Sequence, residues 1–231
     1  MKGHVSHSAV RRLSLYLRRL EHLSAGHVET VSSSRIAEGT EATDAQVRKD
    51  LAYFGQFGRP GIGYRVAPLI RKLKNILGTA RPWRVVVIGV GGLGQALLRY
   101  KAFGEKGFDI VAAFDTAPDK IGQTIGGVKV MDVARLPEIV DEQEVRLAIL
   151  TVPADAAQPA ADLLRRSGVR GILNFAPTNL DLPENVALNQ VDLTAHLERL
   201  SFDVRHPGNN HRRNGNGSAA ERKKLTTDPK N

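Results

Sequence analysis

Residues 84–115 restrict the possible folds more than any other stretch. An apolar run, Val85-Val86-Val87-Ile88, leads into Gly89-Val90-Gly91-Gly92-Leu93-Gly94. Gln95-Ala96-Leu97-Leu98-Arg99-Tyr100 follows with helical character, and a second apolar run, Ile110-Val111-Ala112-Ala113-Phe114, ends at Asp115. An unbroken Val/Ile run suits a parallel strand buried on both faces. In a strand–turn–helix of this kind Gly89 permits the sharp turn, Gly91 leaves room for a pyrophosphate against the backbone, and Gly94 lets the helix lie close to the strand. N–H groups at the start of the helix, at its positive dipole end, favour phosphate. An acid about twenty residues beyond the turn can accept hydrogen bonds from the two ribose hydroxyls of an adenosine. Asp115 stands at that distance and would repel a 2′-phosphate, so the pattern favours NAD(H) over NADP(H).

The rest of the second half repeats the alternation. Val128–Val130, Leu147–Val152 and Gly171–Phe175 read as strands, Asp132–Val140 and Ala156–Ser167 as helices. Alternation of this kind predicts a Rossmann-like doubly wound parallel sheet in an α/β protein. The strand ends Thr151-Val152-Pro153 and Asn174-Phe175-Ala176-Pro177 fall on the same edge as the glycine turn, where ligands bind in such sheets. The candidate cofactor residues are therefore Gly89 to Gly94 (with Val90 and Leu93 between the glycines), Asp115, Thr151, Val152, Pro153, Asn174, Phe175 and Ala176, together with Tyr100 and Phe103. An apolar pocket of Tyr100 and Phe103 beside the nicotinamide would penalise the charged NAD⁺ ring against NADH, because an unpaired buried charge is costly.

Charge separates the chain into modules. Residues 1–81 hold 14 Lys/Arg against 6 Asp/Glu, residues 82–204 hold 12 against 16, and residues 205–231 hold 7 against 2. A basic module beside an acidic one predicts a polyanionic partner for the first. In that module Val10, Leu13, Leu17 and Leu20 recur at helical spacing, with arginines among them. A serine cap then starts a short helix near Arg35. Thr43-Asp44-Ala45-Gln46 fits a capping box, with Thr43 as N-cap and Gln46 reaching back to it. Val47, Leu51 and Phe54 continue that helix as an apolar stripe, and Arg48 and Lys49 fall on other faces. Gly55–Val66 reads as a glycine-rich hairpin with Arg59 at its tip. Two helices joined by a turn and followed by a hairpin form a winged helix-turn-helix, whose second helix can enter a major groove of double-stranded DNA. Val66–Leu77 is a linker helix that ends near Gly78 and Pro82.

Cysteine is absent, so disulfide and thiolate chemistry are excluded. No metal-ligand cluster stands out, no apolar run is long enough to span a membrane, and no signal region follows Met1; a cytoplasmic protein without a membrane partner is expected. Hydride-transfer enzymes need a proton donor or acceptor beside the nicotinamide. None of His4, His7, His22, His27, His196, His206 and His211 lies at a strand end of the sheet. A dinucleotide without that chemistry acts as a signal, so the chain is not expected to be an enzyme. The competing reading is a small NAD-dependent oxidoreductase, or a CoA- or nucleotide-binding protein, with a basic appendage.

A winged helix-turn-helix ahead of a dinucleotide fold resembles the Rex family of redox-sensing transcriptional repressors over about residues 8–203. Gln46–Gly55, Gly61-Ile62-Gly63-Tyr64, Gly89–Gly94, Thr151-Val152-Pro153, Asn174-Phe175-Ala176-Pro177 and Leu200-Ser201-Phe202 carry the resemblance. It implies a homodimer with a domain-swapped C-terminal helix. It implies binding to an inverted-repeat operator with TTGTG-like half-sites when NADH is scarce, and release when NADH accumulates. The candidate DNA contacts are Tyr16, Ser33, Thr43, Gln46, Arg48, Lys49, Tyr53, Arg59, Gly61 and Gly63. A family-like switch of ionic partners would use Arg18, Tyr100 and Asp192. Gly92 stands where the family usually carries Arg or Asn, which removes a side-chain contact to pyrophosphate or ribose. Pro60 stands where a basic residue usually precedes the wing glycine. The expected divisions are a DNA-binding domain over 1–80, a dinucleotide domain over 81–191, a dimerisation helix over 192–204 and a disordered basic tail over 205–231.

Overall fold

In the computed structural model, residues 5–59 and 61–207 are described. They fall into two units, one running up to Leu77 and joined by residues from Leu197 on, the other Gly78–His196. The expected wing residue Pro60 and all but the first three residues of the expected basic tail lie outside the described residues.

The first unit runs α1 (His7–Ala25), β1 (Thr30–Val31), α2 (Ser33–Ala37), α3 (Asp44–Phe54), β2 (Gly58–Arg59), β3 (Gly63–Arg65) and α4 (Val66–Ile76). Three side-chain caps set the helix starts. Ser6 accepts from Ala9 N, Ser32 from Arg35 N and Thr43 from Gln46 N, each satisfying an N–H that the helix itself cannot. The small sheet has the order β1-β3-β2, antiparallel throughout, so β2 and β3 form a hairpin against β1. One core joins the helices: Leu13, Tyr16, Leu20 and Leu23 of α1, Ile36 of α2, Val47 and Leu51 of α3, and Val66, Leu69 and Leu73 of α4. The inward face of α1 is thus rotated from the expected stripe. Val10 is exposed, and Tyr16 takes an inward position.

The second unit contains β4 (Trp83–Ile88), α5 (Gly92–Leu98), α6 (Ala102–Glu105), β5 (Phe108–Asp115), β6 (Thr124–Ile125), β7 (Val128–Asp132), α7 (Leu136–Glu142), β8 (Leu147–Leu150), α8 (Ala154–Arg166), β9 (Gly171–Asn174) and β10 (Ala187–Gln190). The sheet order is β10-β9-β8-β4-β5-β7-β6. All pairings are parallel except that of the edge strand β6 with β7. The chain adds β5 and β7 on one side of β4, then β8, β9 and β10 on the other, so the winding reverses between β4 and β8. Alternate residues of β4 feed two cores: Val86 and Ile88 pack on one face, Val85 and Val87 on the other. Helices cover both faces of a sheet built this way. β6 and β10 are not legible as strands in the sequence. β10 is largely exposed and has no apolar run, as suits an edge.

α9 (Leu193–Arg205) is preceded by Asp192, whose Oδ1 accepts from Ala195 N. Its apolar residues Leu193, Leu197, Leu200, Phe202 and Val204 are all exposed. The boundary between the two units falls within this helix rather than at its start. No helix of the described residues is long and apolar enough to cross a membrane.

Candidate DNA and dinucleotide sites

α3 and the wing enclose a groove of about 840 Å³, lined among others by Ser33, Arg48, Ala52, Gln56, Arg59 and Tyr64. Arg48 is one of its lining residues and is held in place. One guanidinium nitrogen, Nη1, donates to Asp44 Oδ2 at 2.6 Å and to Ser33 Oγ at 2.9 Å. The Arg48 hydrogen bond holds the Asp44 carboxyl below its ordinary value. Lys49, Thr43, Tyr53, Arg59 and Gly61 are exposed. Tyr53 lies edge-on to Phe54 with ring centroids 5.0 Å apart. Gly63 is backed against β1, where a side chain would meet the Val31 carbonyl.

Two expected DNA contacts are instead engaged by Asp50. Tyr16 is fully buried, and its hydroxyl donates to Asp50 Oδ2 at 2.9 Å. An aromatic with a polar tip fills an inward helix position well when a buried acceptor waits for the hydroxyl. Gln46 does not reach back to Thr43. Its Nε2 donates to Asp50 Oδ1 at 2.6 Å, so the capping box is only half formed. Asp50 is the residue that sequence reasoning missed. It sits on the inward face of α3 and also takes a two-pronged contact from Arg12, Nε to Oδ2 at 2.6 Å and Nη2 to Oδ1 at 2.8 Å. Burial pushes its carboxyl up, but the hydrogen bonds from Arg12, Gln46 and Tyr16 outweigh that and hold it below the ordinary carboxylate range. Burial and the neighbouring carboxylate push the Tyr16 phenol up. The signal was available: an acid one turn beyond Gln46 and between Val47 and Leu51 lies on the buried stripe and needs a partner there.

In the second unit the glycine turn follows β4 at the winding reversal. Gly89 adopts φ +91°, and a side chain there would lie 2.7 Å from the Thr151 carbonyl. A side chain at Gly94 would run into the Gly89 carbonyl, so α5 can sit this close only with glycine. Gly91 and Gly92 face open space, with no atom within 4 Å of where a side chain would begin. Leu93 is exposed on α5. Room beside the turn therefore suits a pyrophosphate.

Several other expected ligand residues turn out to shape the site from within. Val90 is fully buried, and its N–H donates to Asp115 Oδ2 at 2.7 Å, so that N–H is not offered to phosphate. Thr151 Oγ1 donates to the Gly89 carbonyl at 2.6 Å and clamps the turn. Asn174 is fully buried: Oδ1 accepts from Ala176 N, and Nδ2 donates to Gln190 Oε1 at 2.7 Å and to Thr178 O at 3.1 Å. A polar group there must be satisfied internally, and Asn174 fixes the loop rather than reaching a ligand. Ala176 is buried with it, Phe175 and Val152 are half-buried, and Pro153 is exposed as the N-cap of α8. Tyr100 is exposed and lies edge-on to half-buried Phe103, centroids 5.2 Å apart. Arg18 is exposed on α1 and Asp192 is exposed at the start of α9.

A winged helix-turn-helix unit and a doubly wound dinucleotide fold in one chain define a DNA-binding regulator with a nucleotide-sensing half. Comparison with known proteins makes this specific. Residues 4–52 match a family described as "Putative DNA-binding protein N-terminus", and residues 80–178 match one described as "CoA binding domain". The chain is 48% identical to the redox-sensing transcriptional repressor Rex of Carboxydothermus hydrogenoformans, over 89% of this chain and 99% of that protein. It is 45% identical to the Rex of Desulforamulus reducens, over 87% and 95%. Among solved structures it resembles the Rex-family repressor RSP in complex with β-NAD⁺ and operator DNA, with TM-score 0.83 and 36% identity over 94% of this chain and 100% of that one. RSP in complex with β-NADH gives TM-score 0.80 and 35% identity, over 91% and 99%. The chain belongs to the Rex family of redox-sensing transcriptional repressors. These full-length relatives are repressors and not oxidoreductases, so the competing enzyme reading falls. The match to a CoA-binding description reflects a shared fold, which does not by itself carry function.

Proposed function

We propose that this repressor binds an inverted-repeat operator as a homodimer and lets it go when NADH occupies the dinucleotide unit. The reading rests on one observation above all. A single chain carries a groove beside α3 lined by Arg48 and a glycine turn with room for a pyrophosphate beside Asp115.

On the DNA side, Arg48 reads a base edge and Lys49 meets phosphate, while Ser33, Thr43 and Tyr53 line the approach and Arg59, Gly61 and Gly63 carry the wing. Tyr16 holds α3 on α1 through Asp50, which Gln46 orients from within α3. On the cofactor side, Gly91 and Gly92 leave space for the pyrophosphate and Leu93 borders it. Gly89, Gly94, Thr151 and Asn174 set the shape of the floor. Asp115 faces the adenosine ribose. The bound cofactor supplies a ring that is positively charged when oxidised and neutral when reduced. Tyr100 and Phe103 give that ring an apolar neighbour, which favours NADH.

The exposed apolar side of α9, from Leu193 to Val204, is the surface that a second copy would cover, by exchange of this helix between subunits. Asp192, at its start, pairs with Arg18 in the DNA-binding dimer and turns to Tyr100 when NADH binds.

The test is a gel-shift titration on the DNA upstream of the chain's own gene. Retardation of a fragment with an inverted repeat, lost on adding NADH and retained with NAD⁺, is the expected result. Binding that ignores both NADH and the repeat would overturn the reading.

A further inference from the structure

The Asp115 carboxylate is largely engaged by its own chain. Oδ1 accepts from Ala117 N at 2.9 Å, and Oδ2 accepts from Val90 N at 2.7 Å and from Lys120 Nζ at 3.1 Å. A carboxylate offers about four acceptor sites, so one remains for a ribose and not two. The third donor is a cation. Lys120 lies in the loop between β5 and β6, its side chain about a quarter exposed, and Asp115 is nearly covered. An acid at the end of the second strand selects against NADP(H) because its negative charge meets the 2′-phosphate. Here that charge is neutralised on the spot, and the neutralising ammonium can itself take a phosphate.

We propose that Lys120 belongs to the adenosine-ribose subsite and weakens selection against a 2′-phosphate, so that this chain accepts phosphorylated dinucleotide more readily than Asp115 alone would allow. This rests on the reading of Asp115 as the ribose residue. Asp115 also ties Val90 in the glycine turn to the loop that holds Lys120, so ribose and pyrophosphate recognition share one carboxylate.

Binding constants of the full-length protein for NADH and NADPH, read from the fluorescence of the reduced nicotinamide, test this. Lys120→Met should raise the ratio Kd(NADPH)/Kd(NADH) roughly tenfold, the scale of one charge-assisted hydrogen bond. Lys120→Arg should leave the ratio within about twofold of wild type, because the charge is kept. Lys129→Met, which removes an exposed lysine from β7, should not move it. A wild type that binds NADH, with a ratio unchanged in Lys120→Met, overturns the Lys120 role and leaves the NADH reading standing. A wild type that binds neither dinucleotide overturns both.

Discussion

Arg48 and Lys49 are neighbours with different surroundings, and this separates their effects. Arg48 is already oriented by Asp44 and Ser33 in the free chain. A guanidinium held in place loses little freedom on meeting guanine, whose O6 and N7 match its fork. Arg48→Ala should cost ~1–3 kcal/mol on the operator and relax preference at one base pair. Lys49→Ala should weaken all sequences alike and lower the slope of log K against log salt by about one phosphate contact. Competition gel shifts over a salt series distinguish the two, and wild-type affinity in both variants would remove α3 from the major groove. Asp115→Ala has a wider effect than losing a ribose contact. It also frees the Val90 N–H and the Ala117 N–H and leaves Lys120 without its partner. NADH affinity should fall, and selection against NADPH should fall with it. Calorimetric titration of both dinucleotides checks this, and an unchanged NADH affinity would place the ribose elsewhere.

At the level of elements, α3 is fixed to α1 by a polar core rather than by apolar contact alone. Asp50 gathers Arg12, Tyr16 and Gln46. Removing one partner of a buried ion pair costs about 3–5 kcal/mol when the other is left sealed in; Arg12 is about a quarter exposed, which places Asp50→Ala toward the low end. The pH dependence has a definite sign. The carboxyl is held below its unfolded value of about 3.9, so its contribution is complete above that value and is lost as pH falls through the lower folded one. Urea midpoints measured between neutral and strongly acidic pH should converge for wild type and Asp50→Asn at the acid end. Parallel curves would mean that the pair contributes nothing by charge. The sequence shows α3 clearly because Thr43 and the Val47/Leu51 stripe announce it. It shows the glycine turn because Gly89, Gly94 and Asp115 each answer a separate steric or electrostatic demand. It does not show which way Tyr16, Asn174 or Thr151 point. Each has an apolar or compact body and a polar tip, so one residue type serves equally as ligand contact or as internal strut. The choice depends on partners distant in sequence: Asp50, Gln190 and the Gly89 carbonyl. β10 escapes for the opposite reason. Its residues carry almost no pattern, and its pairing with β9 is made by backbone.

For the whole molecule, in the dimer proposed above, NADH can release DNA only by binding the DNA-incompetent form more tightly than the competent one. In the proposed dimer α9 is the contact, so Leu197→Asp on its exposed apolar side should shift the sedimentation coefficient toward monomer and abolish operator binding together. The proposed exchange of Asp192 between Arg18 and Tyr100 carries only part of the coupling. Exposed ion pairs contribute about 0–1 kcal/mol each, so losing one should move the NADH concentration for release by about fivefold or less per pair. Asp192 has a second duty that must be separated from the first. Its Oδ1 caps α9 through Ala195 N, and losing an N-cap costs about 1 kcal/mol. Asparagine retains the cap and removes the charge. Asp192→Asn should therefore keep α9, dimerisation and NADH affinity close to wild type while shifting the NADH concentration that releases DNA. Asp192→Ala should add a loss of thermal stability to that shift. The measurement is a gel shift against NADH at fixed protein, with NADH binding titrated separately. If the Asp192→Asn dimer releases DNA at the wild-type concentration, the carboxylate does not take part in the switch, and the coupling passes through the contacts of α9 that do not depend on charge.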